Sequence, residues 1–377
     1  MPDDALFAPT EAVLRGETAD VYFHRTKEIL AAAGINPIVT MEVFAGRDGV
    51  LCGMREARAL LERVCSPEAV IESLADGDAI GRKETVLRIH DRYQSFCLYE
   101  TAYLGYLSSG TGWATAARAV VAAADGVPVV AFGARHIHPN AVGAMEYAAV
   151  TGGCQACASI VGAEMAGVSP SGTMPHALVL VLGDTVRAAQ LFHETIDPAV
   201  SRVVLVDTFH DEVEEALRVG EALGDDLWGI RLDTPSERGG VTPDLVWEMR
   251  ARLDNAGFGH VKIIISGGLS VERIARFRAE GAPVDVFGVG SAISGASAID
   301  FTADIREIEG CPVAKRGRIP GLAATTRLTR WDEPPRRQGR QEGGREKEIL
   351  RVSWRPWRLG GSSQLLFRKH RLRQPLQ

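Results

Sequence analysis

The chain holds 377 residues, 46% hydrophobic and 24% charged, with 40 Gly, 18 Pro and 6 Cys. That length suits two to three domains, and the apolar content excludes a wholly disordered chain. The net charge of -6 combines +9 in residues 326–377 with -15 in the rest, so the acidic body argues against nucleic-acid binding.

Residues 1–15 lack a basic cluster ahead of an apolar stretch, so no secretory signal is expected. No uncharged apolar run approaches the ~20 residues that cross a bilayer, so no membrane contact is expected either. Six Cys make no disulfide framework in so long a chain, and a soluble, reduced, cytoplasmic protein is the expectation. Apolar points at Val21, Tyr22, Ile29 and Leu30 predict a helix over 18–33, and Ile38–Phe44 alternates like a strand. A helix follows over 56–64, then an alternating segment carrying Val86 and Ile89. A further helix from Tyr93 to Leu107 is predicted to stop near the Ser108-Ser109-Gly110-Thr111-Gly112 run.

Beyond residue 110 short apolar runs alternate with longer amphipathic stretches. The runs cover 127–134, 203–209, 227–234, 261–268 and 284–290; the helical stretches include 211–223 and 243–257, with Gly257 at a C-cap. Strands that are apolar throughout are buried on both faces, which means a parallel sheet with crossover helices. Each run ends in polar or Gly residues: Arg135-His136, Asp207-Thr208, Arg231 to Thr234, Ser266-Gly267-Gly268 and Gly288 to Ser291. Five decorated ends in succession favour a barrel mouth over an open sheet. The fold class expected is α/β: an N-terminal α+β sandwich-like domain (1–110) and an incomplete or irregular (β/α) barrel as catalytic domain (111–300). Residues 301–325 are expected to return to the N-terminal domain. The basic stretch 326–377 contains Trp331, Trp354 and Trp357 but no apolar period, and reads as a disordered or unrelated tail.

The mouth residues suggest chemistry. The Gly turns at Ser266-Gly267-Gly268 and Gly288-Val289-Gly290-Ser291 follow consecutive late strands, where backbone N–H groups can approach a phosphate. Asp207 and Asp233 suit ribose hydroxyls or an Mg²⁺ carried by pyrophosphate, and Arg231 suits phosphate oxygens. Equally, the three could form a structural Asp–Arg set. Arg135, His136 and His138 offer cationic or hydrogen-bonding groups to an anionic substrate. His176, near a helix start, is a candidate nucleophile or acid/base group, although a lone His is more often structural. Cys154-Gln155-Ala156-Cys157 lacks a second pair for zinc and lies in a small-residue segment that suits close helix packing. Asp211 and Glu212 suit a helix start better than a metal.

In the order and spacing of these pieces the chain resembles the nicotinate phosphoribosyltransferase family, of the type II phosphoribosyltransferases, from about Thr18 to about Gly321. The carriers are TADVYF (18–23), SSGT (108–111), ARHIHP (134–139), GTMPHA (172–177), VDTF (206–209), IRLDT (230–234), SGGL (266–269), FGVGS (287–291) and AKRGR (314–318). The resemblance implies that nicotinate attacks C1 of 5-phosphoribosyl-1-pyrophosphate, giving nicotinate mononucleotide and pyrophosphate for NAD biosynthesis, with coupled hydrolysis of ATP. It implies Mg²⁺, ATP as co-substrate, and a homodimer or higher homo-oligomer with shared sites. It gives His176 the role of a transiently phosphorylated histidine, with Asp207, Arg231 and Asp233 on the ribose–pyrophosphate side. Arg135 and its loop would face the nicotinate carboxylate, and Tyr22 would lie beside the pyridine ring. His136, His138, Thr173 and Thr234 complete the substrate set, and Ser266, Gly267, Gly268, Gly288, Gly290 and Ser291 take the 5-phosphate. Shorter relatives often carry a Cys-rich zinc segment; here only Cys311 lies beyond the barrel, so no zinc is expected.

Three rivals are weighed. A quinolinate phosphoribosyltransferase shares the architecture but takes a dicarboxylate without ATP, and the GTMPH segment argues against it. A second is a barrel isomerase or aldolase acting on a sugar phosphate, of which the aldolase needs a Schiff-base Lys at a strand end, and none is present. A non-catalytic phosphoribosyl-metabolite binder would hold the ligand without turnover.

Overall fold

The computed structural model describes residues 4–332. Five strands come first in the chain: β1 (Ile38–Ala45), β2 (Gly49–Val50), β3 (Val70–Ser73), β4 (Ala79–Ile80) and β5 (Thr85–Arg92). Six follow in the middle: β6 (Val129–Ala131), β7 (Ala156–Cys157), β8 (Arg202–Leu205), β9 (Leu227–Leu232), β10 (Lys262–Ile265) and β11 (Val286–Val289). Three close it: β12 (Phe301–Ile308), β13 (Cys311–Pro312) and β14 (Thr329–Arg330).

β1, β3 and β5 join the last group in one antiparallel sheet, in the order β13-β12-β1-β5-β3-β14, while β2 and β4 pair separately with each other. The long strand β12 brings the chain back from the second domain and pairs with β1 along its length. One face packs on a core of Val39, Met41, Val43, Leu61, Ile89, Phe96 and Tyr103. Glu42, 1% exposed, sits within the sheet. It accepts from Arg88 Nη2 at 2.7 Å and from the Ala323 N–H at 3.1 Å, with Arg306 Nε 3.2 Å away. A carboxylate so buried persists because two guanidiniums and a backbone N–H face it.

The six middle strands make a parallel sheet in the order β7-β6-β11-β10-β9-β8. The first strand pairs with the last, so the sheet curls round, while the edge strands β7 and β8 do not pair with each other and leave the ring open. Each crossover between these strands carries a helix, as a parallel sheet requires. Residues 211–223 form the helix Glu212–Leu223, capped by Asp211, and 243–257 form Pro243–Asn255, with Gly257 at φ +86°. The apolar strand interiors (Val204, Leu205, Ile230, Leu232, Ile263, Ile265, Phe287, Val289) are all fully buried. This is the α/β class expected, with an incomplete barrel.

Four local expectations change. The Ser108–Gly112 run does not end a helix; it lies inside the helix Glu100–Ala124. A Cβ at Gly110 would lie 2.9 Å from the Cys52 carbonyl, and one at Gly112 would lie 2.6 Å from Ser297 O, so the glycines let the backbones pack closely. Thr111 Oγ1 accepts from Cys52 N–H and donates to Cys52 O, tying the helix to that segment. Second, Cys154–Cys157 holds an edge strand, β7, whose two thiols are buried and pushed up by burial. Third, within residues 326–332 the pair Thr329–Arg330 adds a strand, β14, to the edge of the N-terminal sheet. β14 pairs with Glu72 and Ser73, and Trp331 Nε1 donates to Ser73 Oγ at 2.8 Å. The basic composition concealed this because pairing needs only alternating backbone. The remainder of the basic stretch, 333–377 with Trp354 and Trp357, lies outside the described residues. Fourth, the helix Val21–Ala32 buries only Phe23, and Val21, Tyr22 and Ile29 face outward. Among the described residues no helix is long and apolar enough to cross a membrane.

Candidate active site

The decorated strand ends converge. His176 opens the helix His176–Leu182, behind Pro175, and its ring enters the mouth beside the ends of β8 and β9. His176 Nε2 lies 3.6 Å from Asp207 Oδ2 and 3.6 Å from Asp233 Oδ2. Its Nδ1 pairs with Thr208 Oγ1 at 3.2 Å. Arg231 Nη2 stands 3.5 Å from Asp233 Oδ2, and Ser266 donates its hydroxyl to Asp233 Oδ1 at 3.0 Å. Three successive strands, β8, β9 and β10, thus deliver one cluster around a single imidazole.

The electrostatics divide the two carboxylates. The Asp207 side chain is 2% exposed, and neither oxygen has a hydrogen-bond partner among the described residues. Burial, helped by the charge of Asp233, pushes Asp207 up to about 6, against His176 and Arg231. Burial acts the same way on Asp233, but His176, Arg231 and Ser266 outweigh it and hold that carboxyl below its ordinary value. His176 is raised, first by its contact with Asp233 and further by the charge of Asp207, against burial and Arg231. A pair of neighbouring carboxylates driven apart in proton affinity marks a candidate functional site.

The glycine turn after β10 adjoins this cluster. Gly267 and Gly268 have φ of +88° and +58°, and a Cβ at Gly267 would come 2.9 Å from Asp233 Oδ1. Only glycine fits there without strain or collision. Neither turn N–H has a partner among the described residues. A cavity of about 480 Å³ opens beside it, bounded by Asp233, the 234–243 loop, Gly267, Gly268 and Arg273.

The other sequence candidates spread more widely. Arg135, His136 and His138 are exposed at the end of β6. His136 lies against Gly290, where a Cβ would be 2.7 Å from the ring, and Gly288 lies under the Phe132 ring. Glycine at 288 and 290 therefore makes room for two rings of the neighbouring loop, a reason the turn pattern did not suggest. Ser291 is exposed just beyond. His138 accepts from the Asn140 N–H and caps a short helix. Thr173 donates to the Met174 carbonyl. Thr234 is buried and donates to Glu212 Oε1 at 2.8 Å, so its hydroxyl is already used. Tyr22 belongs to the N-terminal domain, where its hydroxyl donates to Asp20 and its ring packs on Phe23. Sequence reasoning missed Phe132 and Arg273, and read Glu212 as a helix start, which it is, without its bond to Thr234. Only Arg273 left a signal, as a cation three residues after the Ser270 cap that follows a Gly-Gly turn.

Residues 113–304 match the family model of the quinolinate phosphoribosyl transferase C-terminal domain, and residues 20–110 match that of the N-terminal domain. The chain is similar to nicotinate phosphoribosyltransferase pncB1 of Mycobacterium tuberculosis, 30% identical over 257 residues, covering 65% of this chain and 55% of that protein. A nicotinate phosphoribosyltransferase of Bacillus subtilis is 31% identical over 222 residues, covering 58% of this chain and 44% of its own length. The chain spans about half the length of these curated relatives. Among solved structures, a nicotinate-nucleotide pyrophosphorylase from Pyrococcus furiosus superposes with a TM-score of 0.78 at 42% identity, covering 84% of this chain and 81% of that one.

Proposed function

We propose, from the premise that this chain belongs to the quinolinate phosphoribosyl transferase family, that it transfers a phosphoribosyl group to nicotinate with coupled hydrolysis of ATP. The observation that carries this reading is the imidazole of His176 set between Asp207, Asp233 and Thr208 at the barrel mouth. The names of the curated relatives support nicotinate as acceptor.

In this reading the C1–O bond to pyrophosphate breaks as the pyridine nitrogen bonds to C1. Positive charge grows on the sugar, and the carboxylates of Asp207 and Asp233 face it. The donor set fits Mg²⁺: Asp207 offers two buried oxygens with no partner among the described residues, and this ion takes one or two carboxylates together with substrate phosphates. Asp207 and Asp233 would hold the ion, which would neutralise the departing pyrophosphate. Arg231, braced on Asp233, suits the pyrophosphate oxygens. The free N–H groups of Gly267 and Gly268 suit the 5-phosphate. Arg135, exposed and without a polar partner among the described residues, suits the nicotinate carboxylate.

His176 would take the γ-phosphoryl group of ATP. The imidazole nitrogen bonds to phosphorus as the bond to ADP breaks, and later hydrolysis releases phosphate and restores the ring. Thr208 at Nδ1 and Asp233 near Nε2 hold the ring for this. Tyr22 serves a second copy of the chain; the exposed Val21, Tyr22 and Ile29 on one helix, and Leu180 and Val181 on another, support a homo-oligomer.

The test is His176→Ala. Nicotinate mononucleotide should still form slowly, but ATP should no longer stimulate it, and γ-labelled ATP should no longer label the protein. Undiminished ATP stimulation in that variant would remove the phosphohistidine role. A second reading, quinolinate as acceptor without ATP, is favoured by the name of the matching family models.

A further inference from the structure

We infer that Arg273 is a positioning residue for the phosphate-binding turn, a brace that sets the affinity for the phosphoribosyl donor through the backbone it holds. The inference rests on the phosphoribosyl reading above. Arg273 lies in the first turn of the helix Val271–Ala279, which Ser270 caps by accepting from the Arg273 N–H at 3.2 Å. Its guanidinium turns back beneath the mouth. Nη1 donates to Gly267 O at 3.0 Å and to Gly268 O at 2.9 Å. Nη2 donates to Val241 O at 3.1 Å. One planar fork therefore joins the loop after β10 to the loop after β9, the two loops that bound the 480 Å³ cavity.

The geometry explains why this matters to the neighbouring donors. Two consecutive residues at positive φ present their carbonyls to one side of the turn and their N–H groups to the other. Arg273 takes the two carbonyls, and the two N–H groups stay without partners among the described residues. A Cβ at Gly268 would stand 3.2 Å from Nη1, so a side chain there would press on the guanidinium. On its other flank the turn is held by Asp233, which accepts from Ser266 and lies against Gly267. Released from Arg273, the turn would keep its link to the His176 cluster but could rotate its peptide planes. The carbonyl oxygens would then compete for the space where the anion must sit. Lysine cannot replace this fork, because an ammonium is a point donor that cannot span two loops.

The experiment compares wild type with Arg273→Met and Arg273→Lys. Binding of ribose 5-phosphate is measured by calorimetry, steady-state kinetics are measured with phosphoribosyl pyrophosphate, and melting temperatures are recorded alongside. The brace requires both variants to bind ribose 5-phosphate about 10- to 100-fold more weakly, the loss that metal sites show when a hydrogen-bonding partner behind a ligand is removed. KM for the donor should rise similarly while kcat at saturation stays within about twofold. Wild-type affinity in the lysine variant would overturn the brace, because charge alone would then suffice. Wild-type affinity in the methionine variant, with only a lowered melting temperature, would reduce Arg273 to a stability role. Absence of ribose 5-phosphate binding by the wild type would remove the phosphate reading and this inference with it, whereas binding without turnover of any pyridine would leave the inference standing.

Discussion

Replacing Asp207 with Asn should inactivate the protein and also make it more stable at neutral pH. Asp207 is buried without a hydrogen bond to either oxygen among the described residues, and burial lifts it from 3.8 to about 6. The folded state thus holds a proton that the unfolded state releases. For an acid raised in this way, the native state loses stability as pH climbs from the unfolded value through the folded one. Integrated over that interval, the ionisable group costs about 1 kcal/mol at pH 4.5 and about 3 kcal/mol at pH 8, relative to a neutral side chain of the same shape. Asn is such a side chain. Urea unfolding of wild type and Asp207→Asn at the two pH values should show a stability gain that grows with pH, while turnover falls about 100-fold or more. Equal destabilisation of the variant at both pH values would refute the reasoning, since it would mean that the carboxylate is satisfied in the native state.

Gly267→Ala should lose about 2–3 kcal/mol: about 1–2 for alanine at φ +88° and about 1 for pushing Asp233 off Ser266, with a raised KM for the phosphoribosyl donor. Gly34→Ala is the control, at φ +66° with open space around it, and should show only the conformational part; equal losses at both sites would contradict the contact argument. Glu42→Ala strips Arg88 and Arg306 of the buried carboxylate they share, leaving Arg88 with the Glu72 carboxylate, and should cost about 3–5 kcal/mol, read as a drop in the urea midpoint. A chain cut after residue 325 should melt below one cut after residue 332, because only the longer one keeps β14 and the Trp331–Ser73 hydrogen bond. Matching melting curves would show the strand to be dispensable.

The second domain was readable because its physics is local. A strand covered on both faces must be apolar along its length, so the point where polarity returns marks the mouth, and Asp207, Arg231, Asp233 and Ser266 were found that way. Their convergence on His176 depended on the curl of the sheet, which the βα rhythm implied. What failed depends on partners far off in sequence. Gly110 and Gly112 look like a turn until Cys52 and Ser297 are seen against the helix. Thr234 looks free for substrate until Glu212 takes its hydroxyl. Gly288 and Gly290 look like a phosphate turn, but the Phe132 and His136 rings explain them as well. Arg273 left only its place three residues after the Ser270 cap, and an arginine in a first helical turn does not say that it will hold the carbonyls behind it. β14 was hidden by a basic composition that edge pairing does not consult.

The most direct test of the account is product formation from labelled phosphoribosyl pyrophosphate with nicotinate, nicotinamide or quinolinate, each with and without ATP. The account requires nicotinate mononucleotide from nicotinate, faster with ATP, and none from nicotinamide. Product from quinolinate alone, indifferent to ATP, would contradict it and establish the other acceptor.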